Sequence, residues 1–532
     1  MTYASLVDLL SKDWSEEQAP VADILSDPQK LLFILEDLDN VKFNLNIPES
    51  ALCNDSRKKV PVNVLLLSLL KRTLAPDSSF LITTRIEPRS PSDTIAKETD
   101  FTFVLNFGDE VRKRYFTLFF KDEKRVETAF KFVQENEILM DLCSVPILCW
   151  LTCMNLKQQM DEDEEDVTFP FQTTTDVFAH FLANALTSEA GVACVRPRLI
   201  LLQRLCWLAF EGLLQDVFHF SGQDLLSVGL NEADASVLQT TRILMQSTEH
   251  QDRCMFIHLR FQEFCAAIAY MMPLNAFLLP SIQQQNLGKR EEYNDLTPIM
   301  THIFGLLNEK TREILETSFG CLLLSEIHRQ HFLERVENLG ANPTAMEHHV
   351  PLFYCLFENQ EEEFANKIMD FFVEATVLIQ ENKDMVVASY CLKRCHALEK
   401  LRLCVQGILA IKEPDVSLTS CKQRSLVLWK EFCSLLYTKE NLRELEICNS
   451  VLDETSEKIL GKALMHPTCH VETLKLLYCC ITDVCCFSIG RVIMLSQTLK
   501  HLDVSVNFLQ NYGGLILVLS LLMPTSQLKE LE

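Results

Sequence analysis

A phased leucine pattern near the carboxyl end constrains this chain more than any other feature. Leu442-x-x-Leu445-x-Ile447, Val471-x-x-Leu474-x-Leu476, Leu499-x-x-Leu502-x-Val504 and Leu528-x-x-Leu531 recur at spacings of 29, 28 and 29 residues. An earlier copy, Leu398-x-x-Leu401-x-Leu403, lies 44 residues before the first of these. Each copy alternates as a short strand does when its apolar positions face one side. Helically spaced apolar residues such as Leu428, Phe432, Leu435 and Leu436 lie between copies. A unit of this kind cannot bury its apolar face alone, so neighbours must stack and share one core. The pattern therefore predicts a leucine-rich repeat array over residues 389–532, with one strand and one helix per repeat. Cys448 with Asn449, Cys479 and Asn507 are expected to close the strands of their units. The last copy stops at Glu532 without a polar capping unit, so the sequence reads as truncated there.

The first hundred residues read differently. Leu31–Leu35 is a short, wholly apolar run that ends in Glu36-Asp37-Leu38-Asp39-Asn40. A buried parallel strand delivering carboxylates to its carboxyl end has this form. Pro61 opens a helical stretch carrying Leu65, Leu66, Leu69, Leu70 and Leu74, and a second apolar run, Phe80–Thr84, ends at Arg85. Strand, helix and strand make a βαβ unit, in which ligands bind beyond the carboxyl ends of the strands. From Asp109 to about Ala388 the pattern is helical and almost strand-free. Pro146 sits at the head of one helix, where its missing N–H costs nothing.

Composition removes several function classes. Of 532 residues, 49 are Lys or Arg and 73 are Asp or Glu, a net charge of −24 that repels nucleic-acid backbones and anionic membranes. The apolar runs are too short to span a bilayer. The 21 cysteines sit inside apolar stretches and no secretory signal precedes them, so they read as reduced, mostly buried, small hydrophobes in a soluble intracellular protein. Glycine is scarce, with 14 residues. Only Gly288 and Gly461 are followed by Lys, and neither completes the G-x-x-x-x-G-K-[ST] loop that cradles phosphates. Cys391-x-x-x-Cys395-His396 has the wrong spacing for a zinc knuckle.

In this order, Leu31–Asn40, Phe80–Arg85, Val145-Pro146-Ile147-Leu148-Cys149-Trp150 and Phe256-Ile257-His258-Leu259-Arg260-Phe261-Gln262-Glu263-Phe264, followed by the repeats, carry a resemblance. Together they resemble the NACHT and leucine-rich-repeat regions of the NLRP branch of NOD-like receptors, with the pyrin domain and P-loop lying upstream and absent. The 28/29 period is similar to that of ribonuclease inhibitor. The implied fold is α/β and mainly α: a partial P-loop-NTPase-like parallel sheet over residues 1–108, a first helical domain over 109–170, and a winged-helix domain over 171–277. A second helical domain over 278–388 and the repeat solenoid over 389–532 complete it.

Carried over position by position, the resemblance implies a nucleotide site of Glu36, Asp39, Arg85, Pro146, Trp150 and His258, holding ATP or ADP with magnesium. Glu36 and Asp39 would be the metal-facing acids. The family's first Asp is Glu36 here and its terminal Glu is Asn40, which removes a candidate base for the attacking water. Arg85 matches a sensor for the terminal phosphate, Pro146 and Trp150 border the adenine, and His258 reaches a phosphate of ADP. Without the family, an Arg after a strand is a surface charge, Pro146 and Trp150 are a helix start and a core ring, and His258 is structural. The resemblance implies a cytoplasmic regulator of innate immunity and inflammation, or else an oocyte and early-embryo scaffold. Protein partners would bind through the repeats, whose concave face bears Arg443, Glu444, Glu446, Glu472, Thr473, Lys475, Lys500, His501 and Asp503. Self-association is implied as well. Two other readings stay open: an active ATPase whose phosphate loop lies outside this sequence, and a passive module similar to ribonuclease inhibitor.

Overall fold

The computed structural model describes residues 3–12, 21–25, 27–35, 48, 51–83, 106–162, 169–187, 198–247, 252–273, 297–321, 323, 326–330, 333, 349–409, 416–509 and 511–532. They form two compact units, Met1–Leu105 and Asn106–Glu532.

In the first unit the expected βαβ pairing is present. Leu32–Leu35 runs parallel to Ser79–Ile82, with Phe33 opposite Phe80 and their rings stacked at 5.3 Å. Between them lies the helix Val62–Leu70, which begins directly after Pro61. Leu6, Leu65, Leu69 and Leu74 form its small buried core. One expectation fails. The strand is not buried on both faces, because Leu32 and Ile34 are each 57% exposed and Leu81 53%. Only one described strand flanks it, and alternation turns every second side chain away from the helix.

The second unit begins as packed helices. Asn136 caps Glu137–Leu142 by accepting from the N–H groups of Ile138 and Leu139, at 2.9 and 3.2 Å. Pro146 takes the first position of Pro146–Glu162, as its missing donor requires. Thr174–Thr187 starts with an unusual partner. The buried Glu358 carboxylate, from the helix Val350–Asn359, accepts from the N–H groups of Thr174 and Thr175 at 3.1 and 3.0 Å. A charge of that sign suits the amino end of a helix.

Among the described residues, the stretch read as almost strand-free contains four strands. Phe220–Ser221, Leu244–Gln246 and Arg253–Phe256 make a small antiparallel sheet with Arg253–Phe256 in the middle. Runs of two to four residues are too short to show a period, so the helical pattern around them dominated the reading.

The fourth strand, Glu374–Ile379, opens a six-stranded parallel sheet that runs in chain order through Lys400–Val405, Glu444–Cys448, Thr473–Leu477, His501–Asp503 and Glu530–Leu531. Five of these strands lie where the leucine spacing places them. Consecutive strands are linked through the helices Asn382–Arg394, Val416–Cys433, Glu454–Leu464, Asp483–Leu495 and Asn511–Leu521. Leu401, Leu445, Leu474 and Leu502 stand in one buried row. The first strand keeps the same phase with other residues: Phe372, Ala375 and Val377 are buried, and Ala375 pairs with Leu401. Asn507 closes its unit as expected. Its carboxamide accepts from the N–H of Cys479 at 2.8 Å and donates to the carbonyls of Leu476 and Val504 at 2.6 and 2.8 Å. Two units earlier Ser450, rather than Asn449, makes the link: its hydroxyl accepts from Val405 N–H and donates to Cys448 O, both at 2.8 Å.

Candidate functional site

Three of the six expected site residues are described, and all belong to the second unit. Glu36, Asp39 and Arg85 lie outside the described residues, so the acids expected to face magnesium are not placed. Pro146 is exposed at its helix start, and Trp150 follows one turn later, half-buried. The edge of Trp150 meets Phe181 at 6.1 Å, and the Arg242 guanidinium lies over its ring at 5.1 Å. Arginine over an indole face is a favourable cation–π pair.

Arg242 is held there by its backbone. It follows the helix Glu232–Thr240 with φ of 61°, a left-handed conformation that costs a non-glycine residue about 1 kcal/mol or more. The next residue, Ile243, accepts at its carbonyl from Ile257 N–H at 3.0 Å, and Leu244 pairs with Phe256. That pairing sets the start of the following helix, Leu259–Met271, whose cap is His258. A second route joins the same places, since Phe181 packs edge-on to Phe261 at 5.5 Å. Trp150 and His258 thus stand in one connected region, linked through Arg242 and through the phenylalanines.

His258 Nδ1 accepts from the N–H of Arg260 at 3.1 Å, an assignment that leaves the proton on Nε2. Burial, with Arg260 beside it, pushes the ring down to about 4, so it is neutral at physiological pH. Its Nε2–H is therefore an uncharged donor. Nearby, burial lifts Glu263 to about 7 against the opposing pull of Arg260. His302 is the buried counterpart: Thr175 Oγ1 lies 3.0 Å from its Nδ1, and burial drives it down to about 3.

An adenine nucleotide needs an aromatic or apolar face for the base and donors for its phosphates. Trp150 offers the first and His258 Nε2–H one donor, while Arg242 supplies an exposed positive charge over the indole. These residues fit such a group in part. Among the described residues there is no cluster of His, Cys, Asp and Glu suited to a metal ion.

Sequence comparison bears on the same segments. The NACHT domain family model matches residues 2–123, the NOD2 winged helix domain model residues 200–256, and the NLRC4 helical domain HD2 model residues 258–367. NACHT, LRR and PYD domains-containing protein 14 of Homo sapiens is 32% identical over 99% of this chain and 49% of its own length. Protein 4C of that series in Mus musculus is 32% identical over 96% of this chain and 52% of its own. Protein 9 of Bos taurus is 31% identical over 100% of this chain and 53% of its own. The chain belongs to the NLRP-type NACHT proteins. It spans about half the length of these relatives.

In this NLRP-type chain Arg242 lies within the winged-helix match and His258 opens the match that follows, so the two stand at a boundary between family segments. Arg242 and His302 are absent from the sequence reading, and Glu263 enters it only as part of the Phe256–Phe264 segment, with no role. A lone Arg after Thr240-Thr241 has no motif to mark it, and only the fold brings it over Trp150.

A second surface is the open face of the parallel sheet. There Lys475 and Lys400 both reach Glu444, at 2.9 and 3.3 Å, Arg402 meets Glu446 at 2.9 Å, and Lys500 meets Glu472 at 2.6 Å. Burial works to raise Glu444, but the two lysines outweigh it and hold the carboxyl below its usual range. The charges expected on this face are thus largely paired with one another. Among the described residues, no helix is long and apolar enough to cross a membrane.

Proposed function

We propose that this NLRP-type protein is a scaffold that senses an adenine nucleotide weakly and does not turn ATP over. The observation that carries the reading is the Trp150, Arg242 and His258 region, in which a half-buried indole, a cation and a neutral imidazole donor are tied together by one strand pairing. Trp150 with Pro146 would border the base, and His258 and Arg242 would face the phosphates of ADP or ATP. Glu36, Asp39 and Arg85, which lie outside the described residues, are proposed as further nucleotide-binding residues, with magnesium on the two acids. The bound nucleotide supplies a charged wedge, and its presence or absence would select between two arrangements of the protein.

The parallel sheet with its leucine phasing supports a leucine-rich repeat array over 389–532 whose open face binds protein partners. Its paired and mixed charges suit a protein surface rather than a nucleic acid. The resemblance supports a proposed cytoplasmic role in innate immune or inflammatory signalling, with self-association, the alternative being a scaffold of oocytes and early embryos. The domain layout proposed here keeps the boundaries at 108, 170, 277 and 388.

Equilibrium binding of fluorescent ADP to the purified full chain tests the site. Saturable binding that weakens at least fivefold in both Arg242→Ala and His258→Ala, with circular dichroism unchanged, is expected. Equal affinity in all three proteins would remove the site.

A further inference from the structure

Two cysteines that read as core filler lie side by side on the open face of the sheet. In Lys400–Val405 the buried side chains are Leu401, Leu403 and Val405, and in Glu444–Cys448 Leu445 and Ile447 point the same way. Alternation therefore turns Cys404 and Cys448 to the opposite face, in line with Arg402 and Glu446. The strands are parallel with Leu403 against Ile447, so the next rung sets Cys404 against Cys448. Neighbouring strands lie about 4.8 Å apart, within the span of about 4.4–6.8 Å between Cα atoms that a disulfide bridges. Each thiol reaches the backbone of the other's strand segment: Cys448 Sγ donates to Leu403 O at 3.6 Å and Cys404 Sγ to Asn449 O at 3.7 Å. Most described cysteines are buried, whereas both of these are half-exposed.

We propose that Cys404 and Cys448 are an oxidisable dithiol that takes a peroxide and closes to a disulfide across two strands. One thiolate sulfur attacks a peroxide oxygen, the O–O bond breaks, and a sulfenic acid forms as water leaves. The neighbouring sulfur then attacks the sulfenic sulfur, the S–O bond breaks, and a second water departs. Two S–H groups and one hydrogen peroxide become one S–S bond and two waters, with two electrons passing from sulfur to oxygen. Burial and the adjacent thiol hold Cys448 above the usual thiol range, so the reaction is slow at neutral pH and quickens as pH rises. The product pins adjacent strands together beside the Arg402–Glu446 pair, where a partner of the open face would sit.

The test treats the folded full chain with hydrogen peroxide, blocks remaining thiols with iodoacetamide and digests without reductant. A peptide pair linked through Cys404 and Cys448, lighter than its parts by two hydrogens and separated by dithiothreitol, is expected. Phenylarsine oxide, which bridges paired thiols, should protect both from iodoacetamide in the untreated protein. In Cys404→Ser the link is lost and Cys448 becomes available to alkylation or to a sulfenic-acid trap. Full alkylation of both cysteines after peroxide would overturn the proposal. So would linkage of either one to Cys479 or Cys480 instead.

Discussion

His302 shows how much a single buried ring governs. It is 4% exposed, and burial holds it at about 3 where an unfolded histidine titrates near 6.5. As pH falls below 6.5 the unfolded chain takes up this proton and the folded chain does not. The stability supplied by the neutral ring is therefore complete above pH 6.5 and drains away toward pH 3. His258, at about 4, acts with the same sign over a narrower window. Glu263, lifted by burial to about 7, acts oppositely: its contribution is complete below pH 4.5 and lost as pH rises to 7. Replacing His302 by Gln should flatten the acid limb of a stability curve measured by urea unfolding between pH 6.5 and 4.5. The slope should fall by up to one proton, about 1.4 kcal/mol per pH unit. An unchanged slope would mean that His302 is not held neutral. Gly305 lies beside it and leaves no room: an added Cβ would meet Thr175 Oγ1 at 2.5 Å and Thr175 Cβ at 2.6 Å. Gly305→Ala should cost about 1–3 kcal/mol by overpacking, seen as a lower urea midpoint with an unchanged m-value.

Elements here are held by contacts that cross from one to the next. Glu358 closes the amino end of Thr174–Thr187 from a helix almost two hundred residues away in sequence. Glu358→Ala leaves two buried N–H groups unsatisfied and should destabilise the protein by about 1–3 kcal/mol, measured by thermal or urea unfolding. A loss below a few tenths would show that water replaces the carboxylate without penalty. Asn507 plays a comparable part between repeats, and Asn507→Ala should speed amide exchange at Cys479 and Ile481 first, because both donate to its carboxamide oxygen.

The legibility of the elements follows from the same distinction between local pattern and long-range contact. Leu401, Leu445, Leu474 and Leu502 announce their strands because one residue type repeats in one phase. The strand Glu374–Ile379 carries that phase as Phe372, Ala375 and Val377, and a search for leucine passes over it. At the candidate site Pro146, Trp150 and His258 were legible through a family pattern that spans them. Arg242 was not, since a left-handed turn and a cation–π contact leave no trace in spacing.

At the scale of the whole molecule, membership of the NLRP-type NACHT proteins sets the question of whether the chain binds nucleotide and whether it turns it over. The parts proposed for the site in the second unit suit recognition: a ring for a base, a neutral donor and an exposed cation. Chemistry asks for more, namely a phosphate cradle, a held metal and a base for water. The 532 residues contain no G-x-x-x-x-G-K-[ST], and Asn40 stands where a terminal acid would be. The most direct measurement is phosphate release by the purified full chain with magnesium-ATP, compared with Asp39→Ala and with buffer. The account predicts the same rate for all three. Turnover that requires magnesium and disappears in Asp39→Ala would contradict it.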